Sequence, residues 1–428
     1  MKDILKDLGE VRSFFRGKKL GIVSHNDSDG IASAAIISSI CNDGFQTRIL
    51  EKFDLKSISD LAQSRDGLAI LDMGGDRIEE LSKIGKPILV LDHHPSSKRE
   101  EGEVKVINPH FYGLDGAFDC CASTLAYYLA ENTHSKEGGD KKNLVIALVG
   151  IMGDMQHLDI RGLNVGIFER ADRDLSWEVC PVLNGDDLRE ALLNSVDPFV
   201  KGLSGDEDGV DRFLKGIGLD GGKRLDELSE KEMEKLNSAL AMVMLKGRAK
   251  PEMVRRIISK RYRCELQGVR FVDELSRIVN GCGKSGSGGL AVTALLDEHH
   301  MRKVREIAGK RDAEMLRELN GLKLEDMGSI RFFWADHGSE LSTLIANYLS
   351  SDKPVFGLSK NNDMVKISGR GSKEMVGRGL NLSSIMGNAK KFGGSGGGHS
   401  VAAGCIIPAG KEGEFLRSAD ESVKGQIE

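Results

Sequence analysis

Four short strings in the first part of the chain set carboxylates and imidazoles directly behind apolar segments. They are Ser24-His25-Asn26-Asp27-Ser28-Asp29-Gly30, Leu71-Asp72, Leu91-Asp92-His93-His94 and Gly153-Asp154. Brought together, so many carboxylates repel one another unless a counter-charge is present, and divalent cations are the natural one. Carboxylate plus imidazole ligation suits manganese, zinc or iron, and carboxylate-rich sets favour hard ions such as manganese or magnesium. Two such ions roughly 3.5–4 Å apart form the usual clamp for phosphoryl displacement. Each string alone has a plainer reading. A lone Asp after a strand, as at Asp72 or Asp154, is more often a helix cap or turn residue. The H-x-D-x-D-G cluster leaves fewer alternatives, because three candidate ligands share one turn. Gly30 lets backbone approach a ligand at the start of the next helix.

A second candidate lies near the C-terminus, where residues 393–404 read GGSGGGHSVAAG. Composition favours a flexible loop. The chemical alternative is an anion cradle of exposed backbone N–H groups, with His399 as a further donor and Ser400–Ala403 opening a helix or tight turn. Other strings fail their tests. Gly283-Lys284-Ser285 is not a P-loop, since Ile278 stands where a glycine is required. Glu298-His299-His300 and Asp336-His337-Gly338 lack the strand framework and read as local caps. Aromatics make up 5% of the chain and do not interleave with basic residues, so base stacking falls to isolated rings such as Phe111, Tyr112 or Phe392.

The elements that must position these groups follow from periodicity. Apolar runs at 19–24, 47–50, 68–71, 87–91 and 104–107 alternate with helical spacing at 31–40, from 55, near 76, at 122–131 and at 142–152. Near-continuous apolar strands joined by helices mean a parallel sheet covered on both faces. Ligands of such a sheet bind outside the carboxyl ends of its strands. Three strand ends therefore deliver His25, Asp27, Asp29, Asp72, Asp92, His93 and His94 to one edge. Residues 161–325 are charged and mostly helical by period, with a strongly basic stretch at 246–263. From 326 the α/β pattern returns, with strands at 330–335, 355–358, 364–368 and 405–407. The predicted domains are 1–160, 161–325 and 326–428.

The length of 428 residues exceeds one ordinary core, which agrees with several domains. Seven cysteines without any C-x-x-C pair argue against a disulfide framework and a structural zinc site. No apolar run approaches the roughly 20 residues that span a bilayer, and the charged N-terminus lacks the core of a secretion signal. A cytoplasmic protein without membrane association is expected. The net charge of −5 gives no global sign of nucleic-acid binding, which leaves local patches to decide.

The series HNDSDG, LDMGGD, LDHHP and GDM resembles the four motifs of the DHH phosphoesterase superfamily. The string GGGHSVAAG, preceded by Lys366-Ile367-Ser368-Gly369-Arg370, resembles the DHHA1 domain that accompanies it. The resemblance covers about 15–160 and 330–410 and implies an α/β fold: a parallel-sheet DHH domain, a smaller α/β DHHA1 domain and a helical insertion between them. It implies two manganese or magnesium ions held by His25, Asp27, Asp29, Asp72, His93 and Asp154, with Asp72 bridging. His94 touches the phosphate, and Asp92 orients its neighbours. Asp72, His93, His94 and Asp154 form the catalytic set. Arg370, Gly397, Gly398 and His399 bind substrate, on a face made basic by Lys366, Lys373, Arg378, Lys390 and Lys391. The implied arrangement is two domains flanking a cleft suited to a chain end.

The central insertion is similar in size and helicity to that of archaeal RecJ-like proteins of the GINS-associated nuclease type. The implied activity is exonucleolytic cleavage of single-stranded DNA or RNA in replication or repair, with the GINS replication complex as a candidate partner. NanoRNases, cyclic-dinucleotide phosphodiesterases and polyphosphate or pyrophosphate hydrolases share the motifs. A replication scaffold that binds GINS is the alternative of a different class.

Overall fold

A computed structural model describes residues 2–41, 44–131, 137–266, 268–349 and 351–427. The chain divides into two compact units. The first comprises 1–179 and 260–311, and the second comprises 180–259 and 312–428.

The first unit is built on a six-stranded sheet. Its strands are β1 (Leu20–His25), β2 (Phe45–Leu50), β3 (Gly67–Leu71), β4 (Ile88–Leu91), β5 (Glu100–Glu101) and β6 (Val104–Ile107). They lie in the order β2–β1–β3–β4–β6–β5, parallel except for the short β5. Successive side chains of a strand face opposite ways. Ile22, Ala69 and Leu89 accordingly enter one core, while Val23, Ile70 and Val90 enter the other. Both faces are thus buried, the condition that parallel sheets require. The first core packs against α1 (Ser28–Ser39), α2 (Ala122–Glu131) and α3 (Glu137–Gly153).

The stretch 161–325 is shared between the units rather than forming a third. Residues 260–311 add α4 (Val272–Cys282) and α5 (Gly288–Leu296) to the first unit, burying Leu275, Val279, Val292 and Leu295 in its core. The stretch also holds strands the periodicity concealed. A three-stranded sheet is ordered β7 (Trp177–Pro181), β8 (Ile258–Leu266) and β9 (Val269–Phe271). The basic run at 246–263 thus ends in a strand. The charge of buried Arg261 is met by Asp273, with Nη2 to Oδ2 at 2.7 Å, and by the Phe271 ring, 3.8 Å from its guanidinium carbon.

The second unit has a six-stranded mixed sheet. Its strands are β10 (Glu325–Asp326), β11 (Arg331–Trp334), β12 (Val355–Asn361), β13 (Met364–Arg370), β14 (Ser395–Gly398) and β15 (Ala402–Pro408), ordered β10–β11–β12–β13–β15–β14. Phe333 and Val355 on one face pack with Leu188, Leu192, Leu236 and Leu240 from helices of 180–259, and with Leu341 and Ile345 of α6 (Gly338–Tyr348). Phe356 and Ile367 on the other face pack against α7 (Glu412–Ile427) and the short helix Leu382–Gly387. The glycine-rich run is therefore an edge strand, not a loop. The segment after it is a tight turn in which the His399 N–H bonds Ala402 O at 2.8 Å.

Candidate metal centre

Strand register brings the acidic strings together. Ser24 pairs with Leu71, and Leu71 with Leu91, so β1, β3 and β4 end side by side. The next residues are His25 at the tip of β1, Asp72 and Asp92. Asp27 caps α1, its Oδ1 accepting the Gly30 N–H at 3.1 Å. A Cβ on residue 30 would lie 2.4 Å from the His25 carbonyl oxygen, so only glycine permits this turn. Asp29 is fully buried and accepts the Ala122 and Ser123 N–H groups at 2.8 and 2.9 Å. Those are the first residues of α2, whose positive end steadies the carboxylate. Asp154 follows the end of α3.

The groups converge on Asp72. Its Oδ2 is 3.4 Å from His25 Nδ1, and its Oδ1 is 3.2 Å from His93 Nε2. His25 Nδ1 is also 2.6 Å from Asp27 Oδ2, while His93 Nε2 is 3.3 Å from Asp154 and 4.0 Å from Asp29. Three overlapping sets result, each with ligand atoms within 4.8 Å of one another: His25, Asp27 and Asp72; Asp29, His93 and Asp154; and Asp72, His93 and His94. The two oxygens of Asp72 thus face two different sets. Its backbone is left-handed, with φ 58°. Asp tolerates that region better than most residues, but the conformation still holds strain.

Residues behind these groups fix their orientation. His93 Nδ1 bonds the Gly116 carbonyl at 2.7 Å, so it carries a proton and turns Nε2 towards the carboxylates. Burial opposes a charged ring, but Asp72 and Asp154 prevail and push its pKa well up, so a metal at Nε2 would displace a proton. Gly116 O also accepts from Gln156 Nε2 at 2.9 Å, and Gln156 Oε1 accepts from Asn164 at 2.7 Å. Asp92 receives the Gly75 N–H at 2.8 Å and His94 Nδ1 at 2.8 Å, and so orients neighbours from beside the sets.

The electrostatics are those of charges awaiting a partner. Burial, then the charges of Asp27 and Asp29, raises the Asp72 carboxyl to about 6. Burial and Asp29 push Asp154 well up. Burial opposes a charged His25, but Asp27 and Asp72 prevail and take it up to about 10. Burial likewise works against the Asp27 carboxylate, yet His25 and Lys284 hold it well below the usual range. Asp72 Oδ1 and His25 Nδ1 are buried in close ion-pair contact but without a well-aligned hydrogen bond. Four carboxylates crowded around two imidazoles fit hard divalent cations.

Lys284 is the residue that sequence reasoning passed over. Its Nζ donates to Asn26 Oδ1 at 2.9 Å, beside the H-x-D-x-D-G turn. A Cβ at Gly283 would lie 2.0 Å from the Asn26 carbonyl oxygen. The glycine next to Lys284 thus serves close approach of the α4–α5 junction to the H-x-D-x-D-G turn. Only the rejected P-loop string drew attention to these residues.

Arg370, Gly397, Gly398 and His399 lie in the second unit and are not among the converged groups. They share one end of its sheet, where Arg370 pairs with Ala402 and Gly398 with Ala403. Arg370 donates to Thr343 Oγ1 at 2.9 Å and Gly369 O at 3.0 Å, and burial lowers its pKa against the opposing charge of Glu340. His399 is exposed, as are Lys366, Lys373, Arg378, Lys390 and Lys391.

Comparison with known proteins accords with this geometry. The family model for the N-terminal domain of the DHH family matches residues 19–151, and that for the DHHA1 domain matches 334–425. An uncharacterised protein of Methanocaldococcus jannaschii is 30% identical over the whole of both chains. Among solved structures, RecJ of Thermus thermophilus in complex with manganese aligns with 99% of this chain at 15% identity and a TM-score of 0.60. The chain spans 55% of the length of that protein. An exonuclease RecJ bound to manganese is 15% identical, with a TM-score of 0.58 over 98% of this chain and 94% of its own. CDC45 of Entamoeba histolytica is 10% identical, with a TM-score of 0.62 over 99% of each chain.

Proposed function

The chain belongs to the DHH family and carries its DHHA1 domain, and from that premise we propose that it is a metal-dependent exonuclease acting on single-stranded DNA or RNA. One observation carries the reading. The two oxygens of Asp72 face different groups, Oδ2 towards His25, which also meets Asp27, and Oδ1 towards His93, which Asp154 and Asp29 also approach. These six residues would hold two manganese or magnesium ions. When bound, such a pair supplies charge neutralisation and Lewis-acid activation for phosphoryl displacement. Three solved RecJ structures that share the fold contain manganese or magnesium, which supports that choice of ion.

The chain's own groups do the rest. Asp29, held by two backbone N–H groups, and His93, held by Gly116, are set in place before substrate arrives. His94 is half-exposed with Nδ1 bound to Asp92, which leaves Nε2 to donate to a phosphoryl oxygen. Asp92 raises its pKa and so favours the cationic donor. In the second unit, Arg370, Gly397, Gly398 and His399 bind the substrate's phosphate or base. A cytoplasmic setting suits seven free cysteines.

The test is digestion of end-labelled DNA and RNA strands of several lengths with manganese, alongside cyclic dinucleotides and pyrophosphate. Stepwise shortening of single strands is expected. Turnover of only the small substrates would overturn the nuclease reading in favour of a small-molecule phosphodiesterase. The full-length likeness to CDC45 supports a second reading, a scaffold that binds the GINS replication complex. Capture of GINS subunits by a catalytically inert full chain tests it.

A further inference from the structure

A cavity of about 380 Å³ opens beside the metal-binding groups of the first unit. His25, Asp72, Asp92 and His94 form one wall. Phe53, Met73 and Pro95 also line it, with the exposed Glu51, Lys52, Asp76 and Arg77 at the rim. The guanidinium of Arg77 lies 5.9 Å from the centre of the Phe53 ring.

The charges at the rim cancel. Glu51 faces solvent next to Lys52, and Arg77 pairs with Asp76 at 3.2 Å and Glu80 at 3.0 Å. A phosphate subsite needs surplus positive charge, which this rim lacks. What remains is an aromatic ring, a thioether and a proline beside a paired guanidinium, a surface for a flat, neutral, polarisable group. The aromatics singled out from sequence are engaged elsewhere. Phe111 and Tyr112 lie under Arg99, and Phe392 packs edge-on against Phe415.

We infer that the cavity lined by Phe53, Met73 and Pro95 binds the nucleobase of the nucleotide that flanks the scissile phosphate, with Phe53 as the stacking ring. The inference rests on the proposed nuclease reading and narrows its substrate class to phosphodiesters that carry a base next to the cleaved bond. Because every base has a π-face, the subsite tolerates all four.

The test uses the full chain loaded with manganese and calorimetric titration with thymidine 5′-monophosphate and with inorganic phosphate. The nucleotide is expected to bind about tenfold more tightly than phosphate, the gain of one stacked base. Phe53→Leu keeps an apolar side chain without a π-face and should bring the two affinities within about twofold, while Phe53→Trp keeps the difference. Arg77→Gln, at an exposed position, covers the case in which Phe53→Leu folds poorly. It should cost the nucleotide about threefold and leave phosphate unchanged. Equal affinities in the wild type, or nucleotide binding that ignores both Phe53→Leu and Arg77→Gln, would overturn the subsite. A chain that binds the nucleotide through Phe53 yet shortens no strand defeats the nuclease reading alone. One that shortens strands with the same KM before and after Phe53→Leu defeats the subsite alone.

Discussion

Asp72 combines buried charge, a left-handed backbone and a central position among the converged groups. Asn tolerates the same backbone region and has the same shape, so Asp72→Asn is the informative change. Hydrolysis should fall by more than the 10- to 100-fold typical of losing a residue one step removed from a metal. The metal-free protein should gain on the order of 1–3 kcal/mol at pH 7.5, because the raised carboxyl pKa is a cost of ionising Asp72 in the fold. Melts in EDTA check this, and an Asp72→Asn chain that melts lower would contradict it. Gln156 reaches the centre only through Gly116. Gln156→Leu should weaken manganese binding 10- to 100-fold by freeing the carbonyl that aims His93, measured by metal titration. The side chains that converge were legible because each string follows an apolar strand or helix in an ordered series. Gln156, Gly116 and Lys284 were not, since their roles depend on contacts distant in sequence, and an isolated Gln or Lys carries no spacing signal.

Elements were read best where one physical pattern dominated. Strand 104–107 and helix 122–131 coincide with their expected bounds, because their apolar positions fit a single period. β8 escaped notice because Lys260, Arg261 and Arg263 made it read as a solvated helix face. Its stability depends on a neutralising partner for Arg261, which is 1% exposed. Asp273→Ala would remove the carboxylate that bonds both Nε and Nη2 of that buried guanidinium. A loss of about 3 kcal/mol is expected by chemical denaturation. An unchanged midpoint would mean that contacts other than Asp273, the Phe271 ring among them, meet the charge. β14 was hidden differently. Glycine offers no side chain to alternate, so the run read as a loop, while pairing of Ser395–Gly398 with β15 makes it a strand.

Across the whole molecule, metal binding should couple to pH. Ions compete with protons for Asp72, raised to about 6, and for His25, raised to about 10. A carboxyl with a raised pKa makes the metal-free fold lose stability as pH climbs towards 6, whereas a raised imidazole stabilises it fully only below its ordinary value and loses that contribution as pH rises to about 10. Ligation displaces both protons, so manganese gains an advantage as pH rises. The rise in Tm on adding manganese should therefore be larger at pH 8 than at pH 5.5. A shift that shrinks with pH would remove these groups from the ligand set. The pairing of two α/β regions was readable from alternation and motif order. The division of 161–325 was not, because helical period shows that a face is apolar but not which core will bury it. Among the described residues no helix is long and apolar enough to cross a membrane.

The first unit is discontinuous in sequence, and synthesis must reckon with that. When residue 179 leaves the ribosome, the apolar surface that will receive Leu275, Val279, Val292 and Leu295 is still bare. It stays so while residues 180–311 are made, on the order of ten seconds at ordinary elongation rates. The nascent chain must shield or postpone that surface, and a gene fragment stopping at 179 should yield aggregates rather than a small working nuclease.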